Sequence, residues 1–232
     1  MNFSKSIDTP VIKNLIIINI LIWLISITGI NVFHINITQW TGLHFFAGSK
    51  FNIAQLFSYM FMHDTRSISH IFFNMFSLYM FGSTLEQYWG SKRFLLFYIV
   101  CGLGAGIVQE LAWLFDFREI YFNDMINNID IGETIVSKAD FYNIPLTVGA
   151  SGCIFGLLLA FGMLFPDVPI MLLFIPIPIR ARIFVIIYAV AEFFLGVTNF
   201  SGDNIAHFAH LGGMIFGYIL IKYWQKNQFN NY

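Results

Sequence analysis

The sequence predicts an all-α membrane protein with six transmembrane helices and both termini cytoplasmic. Three observations predict it. Of the 232 residues, 57% are hydrophobic and 19% aromatic, and only 11% are charged, against about 25% charged in an ordinary soluble domain. The apolar residues collect into runs close to the roughly 20 residues a helix needs to cross a bilayer. Lysine and arginine fall unequally on alternate sides of those runs, and such a bias sets orientation. The net charge of −1 offers no basic face, so nucleic acid is not an expected partner. The lipid bilayer is.

The first span is expected at about 11–30, entered after Pro10. Its apolar run exceeds the roughly 7–15 residues of a signal-peptide core, so it reads as a retained helix. Residues 31–66 are aromatic but broken by Gly42, Gly48, Asp64 and Arg66. Within them 53–62 is apolar yet too short to cross, which predicts an interfacial or partly inserted loop. The second span is expected at about 68–89, followed by a turn bearing Lys92 and Arg93, and the third at about 94–115. Residues 116–147 are polar and acidic. The fourth span is expected at about 148–165 and stops at Pro166-Asp167. Pro169, Pro176 and Pro178 disfavour a regular helix over 166–179, because proline lacks the amide donor and clashes with the preceding turn. The fifth and sixth spans are expected at about 181–199 and 204–224.

With these spans, Lys5, Lys13, Lys92, Arg93, Arg180, Arg182, Lys222 and Lys226 share one side, and Lys50, Arg66, Arg118 and Lys138 the other. Eight against four puts both termini in the cytoplasm. No linker or internal repeat divides the chain, so residues 1–232 read as one membrane domain. Cys101 and Cys153 lie in apolar runs without a CxxC partner, so neither a disulfide nor a zinc framework is expected. The compact core suits a bacterial cytoplasmic (inner) membrane.

The same topology makes the second, fourth and sixth spans run from the outside inward. His70, Ser151 and His210 then sit at similar shallow depth below the outer face. Polar groups are costly in lipid, so such a cluster is a functional hypothesis by default. Ser151 stands in Gly149-Ala150-Ser151-Gly152 at a helix start, where backbone amides can stabilise an oxyanion. A serine hydroxyl is a weak nucleophile and needs a base. His210 is the candidate, because Gly213 and Gly217 share its helical face. Gly152 and Gly156 form a matching small-residue face on the fourth span, so the two backbones are expected to approach closely. Phe155, four residues after Ser151, is placed to stack on His210, or simply to pack in the core. His207 reads as a rim residue. His70 and Asn74 lie at i and i+4, so both point one way, and with the Ser151 amide they make three candidate oxyanion donors. Glu86, Glu110 and Glu192 read as structural groups away from the depth of Ser151. With no carboxylate assigned to His210, the expected site is a dyad.

These residues resemble the rhomboid family of intramembrane serine proteases. His70-xxx-Asn74, Gly149-Ala150-Ser151-Gly152 and Ala209-His210-xx-Gly213-xxx-Gly217 match its three motifs in order, over about residues 11–224. The resemblance implies a six-helix core with a water-filled cavity open to the outer face, Ser151 as nucleophile and His210 as general base. It implies His70, Asn74 and the Ser151 amide as oxyanion donors. It also implies substrates that are transmembrane proteins, cut near their spans, with no cofactor and no metal. Two departures stand out. A Trp-Arg pair frequent in the family's first loop has Ala54-Gln55 as its nearest counterpart, and a tyrosine often found four residues after the nucleophile is Phe155. The acidic 116–147 loop is longer than a minimal member needs.

The reading is therefore a serine-type endopeptidase in the membrane. The alternative is a catalytically silent relative that binds or escorts membrane proteins, for which an intact serine and histidine have no purpose. A metal-dependent hydrolase using His70, His207 and His210 lacks an HExxH motif. A transporter needs a polar path across the bilayer, whereas the polar groups here gather near one face.

Overall fold

The computed structural model describes residues 9–132, 134–172, 175–198 and 206–229. Six long helices carry the fold: α1 (Pro10–Phe33), α2 (Ile68–Trp89), α3 (Ser91–Asp116), α4 (Ser151–Leu164), α5 (Ala181–Thr198) and α6 (His207–Phe229). Each overlaps one expected span. Three of them, α1, α3 and α5, are long and apolar enough to cross a membrane by length and composition. The helix α2 carries His70, Asn74 and Glu86, which dilute its apolarity, and α4 has only 14 residues. At 1.5 Å per residue that is about 21 Å, short of a hydrocarbon core of about 30 Å.

Local sequence explains the helix ends. Pro10 occupies the first turn of α1, where the missing amide hydrogen costs nothing. Val11 and Ile12 instead donate their amides to the Glu86 carboxylate at 3.0 and 2.9 Å, so the end of α2 caps the start of α1. Ser67 caps α2 by accepting from the His70 amide. The fourth helix starts at Ser151, three residues later than the expected 148, because Gly149 takes φ +132° and breaks the helix before Ser151. The start of the sixth span expected at 204 falls outside the described residues.

The helix α4 lies at the centre. It packs against α2, α3, α5 and α6, and α6 packs mainly on α3 and α4. By contrast α1 and α5 are peripheral: 22% of the apolar window of each is buried, against 56% for α3. The core between helices contains Leu78, Leu85, Phe94, Phe97, Tyr98, Cys101, Cys153 and Leu157, and both cysteines are free. Small residues set the spacing. A methyl added at Gly213 would overlap the carbonyl oxygen of Gly152, and one at Gly156 would overlap the Cys101 sulfur.

The loops are more structured than apolarity alone suggests. Residues 31–66 fold into short helical turns at Thr38–Thr41, Gln55–Ser58 and Tyr59–Phe61. Buried Gln55 holds them: it accepts from the His44 amide and donates to the carbonyls of Trp40 and Lys50. Glu110 of α3 accepts from the Phe46 amide at 2.9 Å. The 116–147 loop docks on this same segment. Leu43–His44 pairs antiparallel with Leu146–Thr147, the buried His44 ring lies 3.0 Å from the carbonyls of both Pro145 and Gln39, and Phe45 packs edge-on against Phe117 and Tyr142. In the proline-rich 166–179 segment the described residues are non-helical, as expected, and Pro169–Leu172 pairs with Ile175–Arg180 as antiparallel strands.

The glycine contacts give an ordered expectation. Gly213→Ala drives a methyl into backbone that cannot turn aside and lowers stability by about 1–3 kcal/mol or more. Gly217→Ala meets first the ring tip of Phe97 at 3.0 Å and the Cys101 sulfur at 3.2 Å, both movable, and costs less. Unfolding midpoints of the two variants in one detergent check the order; equal midpoints would contradict the backbone contact.

Candidate active site

Ser151 opens α4, in the short turn that follows the strand Leu146–Thr147. The turn is fixed from outside the helix: the Gly149 amide donates to the Tyr59 carbonyl at 3.1 Å, and the Tyr59 hydroxyl donates to the Gly102 carbonyl at 2.7 Å. The φ of +132° at Gly149 lies where side chains are strained. Space is tight as well, since a Cβ there would lie 3.0 Å from His70 Nε2 and 3.5 Å from Ser151 Oγ. The imidazole of His70 and the hydroxyl of Ser151 thus border one small space over Gly149. The first amides of α4 point toward its start, because the opening turn of a helix leaves them without intrahelical acceptors.

His210 reaches Ser151 from α6. Its Nε2 lies 2.9 Å from Ser151 Oγ. Phe155, one turn along α4, stacks on the His210 ring with centroids 4.1 Å apart and planes 8° from parallel. The glycine faces expected from the sequence do meet: Gly213 lies against Gly152, and a Cβ on Gly217 would lie 3.5 Å from the Gly156 Cα. The serine and the histidine both sit just before that contact, at its N-terminal end.

The other side of the His210 ring carries a carboxylate that the sequence reading did not assign to it. Nδ1 lies 2.9 Å from Oε2 of Glu192, and His207 Nδ1 lies 2.6 Å from the same oxygen. All three residues are buried. Glu192 is therefore at the level of the site, and His207 faces inward onto it rather than sitting on the rim. Sequence distance concealed the carboxylate, which lies on a separate helix 18 residues before His210. A carboxylate oxygen accepts, so Nδ1 of His210 carries the proton and Nε2 is left to accept from the Ser151 hydroxyl.

His70 has the opposite arrangement. Its Nδ1 accepts from the Asp64 amide at 3.3 Å, which leaves the proton on Nε2, the nitrogen facing Gly149. Asn74 donates one amide hydrogen to the His70 carbonyl at 2.8 Å, so one of its two donor hydrogens is occupied within α2 and one remains. His63, in the loop before α2, is fully buried with its ring 5.2 Å from that of His70. Burial first and the His70 ring second push His63 down to about 3, so it stays neutral at physiological pH. No sequence motif singled out His63.

Glu192, His207 and His210 each present a ligand atom within 4.8 Å of the others, so this trio, and not His70 with the two histidines, is where the described residues could hold a metal. The same atoms are already engaged in hydrogen bonds with one another, which a cation would have to displace. The arrangement as it stands suits proton transfer from Ser151 to His210.

An aromatic stack is worth about 0.5–1.5 kcal/mol beyond area burial. Phe155→Leu is therefore expected to slow fluorophosphonate labelling of Ser151 several-fold, and Phe155→Tyr to leave it within about twofold. Equal rates for all three proteins would mean that the stack does not set the ring.

The family model of the rhomboid domain matches residues 50–226. No curated protein matches the chain.

Proposed function

From the premise that the chain belongs to the rhomboid family, whose members are typically intramembrane serine proteases, we propose that it is an intramembrane serine endopeptidase with Ser151 as nucleophile and His210 as general base. The observation that carries this reading is the 2.9 Å approach of His210 Nε2 to Ser151 Oγ, with the ring tautomer left to accept. The family works on membrane proteins in a bilayer, and the substrates proposed here are single-span proteins whose helix tops unwind near the outer face.

In the proposed reaction, Ser151 Oγ attacks the scissile carbonyl while its proton passes to His210 Nε2. The carbonyl electron pair becomes an oxyanion, held by the Ser151 amide, the Nε2–H of His70 and the remaining amide hydrogen of Asn74. His210 then delivers the proton to the departing amine as the C–N bond breaks, leaving an acyl-enzyme ester. A water, deprotonated by the same nitrogen, attacks the ester and frees Ser151. Water must reach this site, so the mouth above Gly149 is read as wet. Polar and irregular backbone at membrane depth is tolerated where it lines such a cavity.

We take the six long helices as six crossings of one membrane domain, with both termini cytoplasmic, on the eight-to-four division of basic residues. The bacterial cytoplasmic membrane is the proposed location. The 116–147 loop is read as an influence on substrate choice, through its docking on the 42–62 segment.

Ser151→Ala and His210→Ala are each expected to abolish cleavage of a membrane-protein substrate while the purified proteins stay folded. Membrane fragments released by wild-type cells and missing from Ser151→Ala cells would identify the substrate and its cut site. Full activity of Ser151→Ala would overturn the assignment, and a folded wild type that fluorophosphonate does not label would favour a binding or escort role. Chelators are expected to leave cleavage unchanged; loss of activity restored by added zinc would support the metal-dependent mechanism instead.

A further inference from the structure

Glu192 is the buried carboxylate that the two-residue mechanism leaves without a role. Among the described residues, the other two buried glutamates have evident structural work. Glu86 accepts two backbone amides at the start of α1 and the Ser91 hydroxyl, and Glu110 accepts the Phe46 amide of the first loop. Glu192 instead places one oxygen against two imidazoles, His210 Nδ1 at 2.9 Å and His207 Nδ1 at 2.6 Å. The hydrogen bonds continue from Glu192 through the His210 ring to Ser151 Oγ at 2.9 Å. A carboxylate in a membrane helix is expensive and is kept for function by default.

On the protease reading above, we infer that Glu192 is a positioning residue for His210, making the site a three-membered relay in which the carboxylate fixes the tautomer and plane of the base. The proton shared with Glu192 stays on Nδ1 throughout. The proton that moves is the one Ser151 gives to Nε2 and Nε2 gives to the leaving amine. The carboxylate acts by holding the ring with Nε2 toward the serine, and by facing the positive ring that forms when Nε2 is protonated. Phe155 fixes the flat of the same ring, so the imidazole is held in its plane by Glu192 and across its plane by Phe155. His207, sharing the same oxygen, orients the carboxylate from its far side.

The rival role is mechanical. Beyond Val185, Glu192 is the buried residue of α5, while Val190, Phe193, Phe194 and Val197 are exposed. Glu192 therefore also fastens the outer half of α5 to α6. A fastening survives replacement by an uncharged group of the same shape that still hydrogen-bonds; an orienting carboxylate does not, because an amide can donate to Nδ1 and turn the ring into the tautomer that cannot accept from Ser151.

Glu192→Gln, Glu192→Asp, Ser151→Ala and wild type are to be compared as purified full chains, on a transmembrane peptide substrate and by fluorophosphonate labelling, with rates taken on the folded, monodisperse fraction. The expected result for Glu192→Gln is a fall in kcat of at least about a hundredfold with KM within about twofold, and labelling slowed in parallel. Glu192→Asp, which keeps the charge on a shorter arm, is expected to recover part of kcat. Should Glu192→Gln give no folded protein, Glu192→Asp decides: kcat lowered at constant KM supports the role, and unchanged kcat overturns it. Wild-type kcat in Glu192→Gln, or a change confined to KM or to stability, overturns it as well. Ser151→Ala separates the layers: if it still cleaves, the protease reading itself fails, whereas an inert Ser151→Ala beside a fully active Glu192→Gln removes only the inference about Glu192.

Discussion

The backbone contact between Gly152 and Gly213 is the constraint from which the site follows. Apolar side chains gain little by leaving lipid tails for one another, so helices in a membrane associate through close packing and polar contacts. Here the contact is close enough that a single methyl has no room. Ser151 precedes one of these glycines by one residue and His210 precedes the other by three. The 2.9 Å separation of their side chains is thus inherited from the packing of α4 on α6. Behind that pair, α3 closes the core with small residues of its own: a Cβ on Gly152 would meet Ala105, and one on Gly104 would overlap the Phe216 ring.

Buried carboxylates are distributed according to the same economy of polar groups. Each glutamate that enters the bundle is matched to donors with no better partner. Glu86 takes the amides that the first turn of α1 leaves open, and Glu110 takes a loop amide that would otherwise be buried without an acceptor. Gln55 does the equivalent for the first loop with three main-chain groups. Glu192 differs because its donors are side chains, one of which, His210, also faces the serine.

The sequence made some of this legible and not the rest, for physical reasons. Helices α1, α3 and α5 are announced by apolar length. The approach of Ser151 and His210 is announced by local patterns, since glycine spacing at i+4 marks a close-packed face and histidine three residues before a glycine shares it. Glu192 was misread because its partners are on another helix, beyond residues 199–205, and periodicity within one helix is blind to that. A depth count on the expected topology, in which the fifth span runs outward, points to it: Glu192 lies eleven residues past Ala181, about 17 Å along α5 at 1.5 Å per residue. The strand pair after α4 was legible only as an absence of helix, since three prolines exclude one structure without naming its replacement. His63 carries no signal at all, being a lone histidine in a loop whose burial is a product of tertiary packing.

The two histidines that face Ser151 show how identical side chains acquire opposite chemistry. His70 receives a backbone amide at Nδ1 from Asp64, so its inner nitrogen bears a hydrogen and can only donate. His210 gives its Nδ1 hydrogen to a carboxylate, so its inner nitrogen is bare and can only accept. A rigid loop sets the first and a buried charge on a peripheral helix sets the second. An acyl transfer needs both polarities on one serine, a bare nitrogen to take the proton and a hydrogen to meet the oxygen that becomes negative. The outer hydrogen bonds, as much as the inner contacts, therefore set which of the two rings can donate toward Ser151 and which can accept.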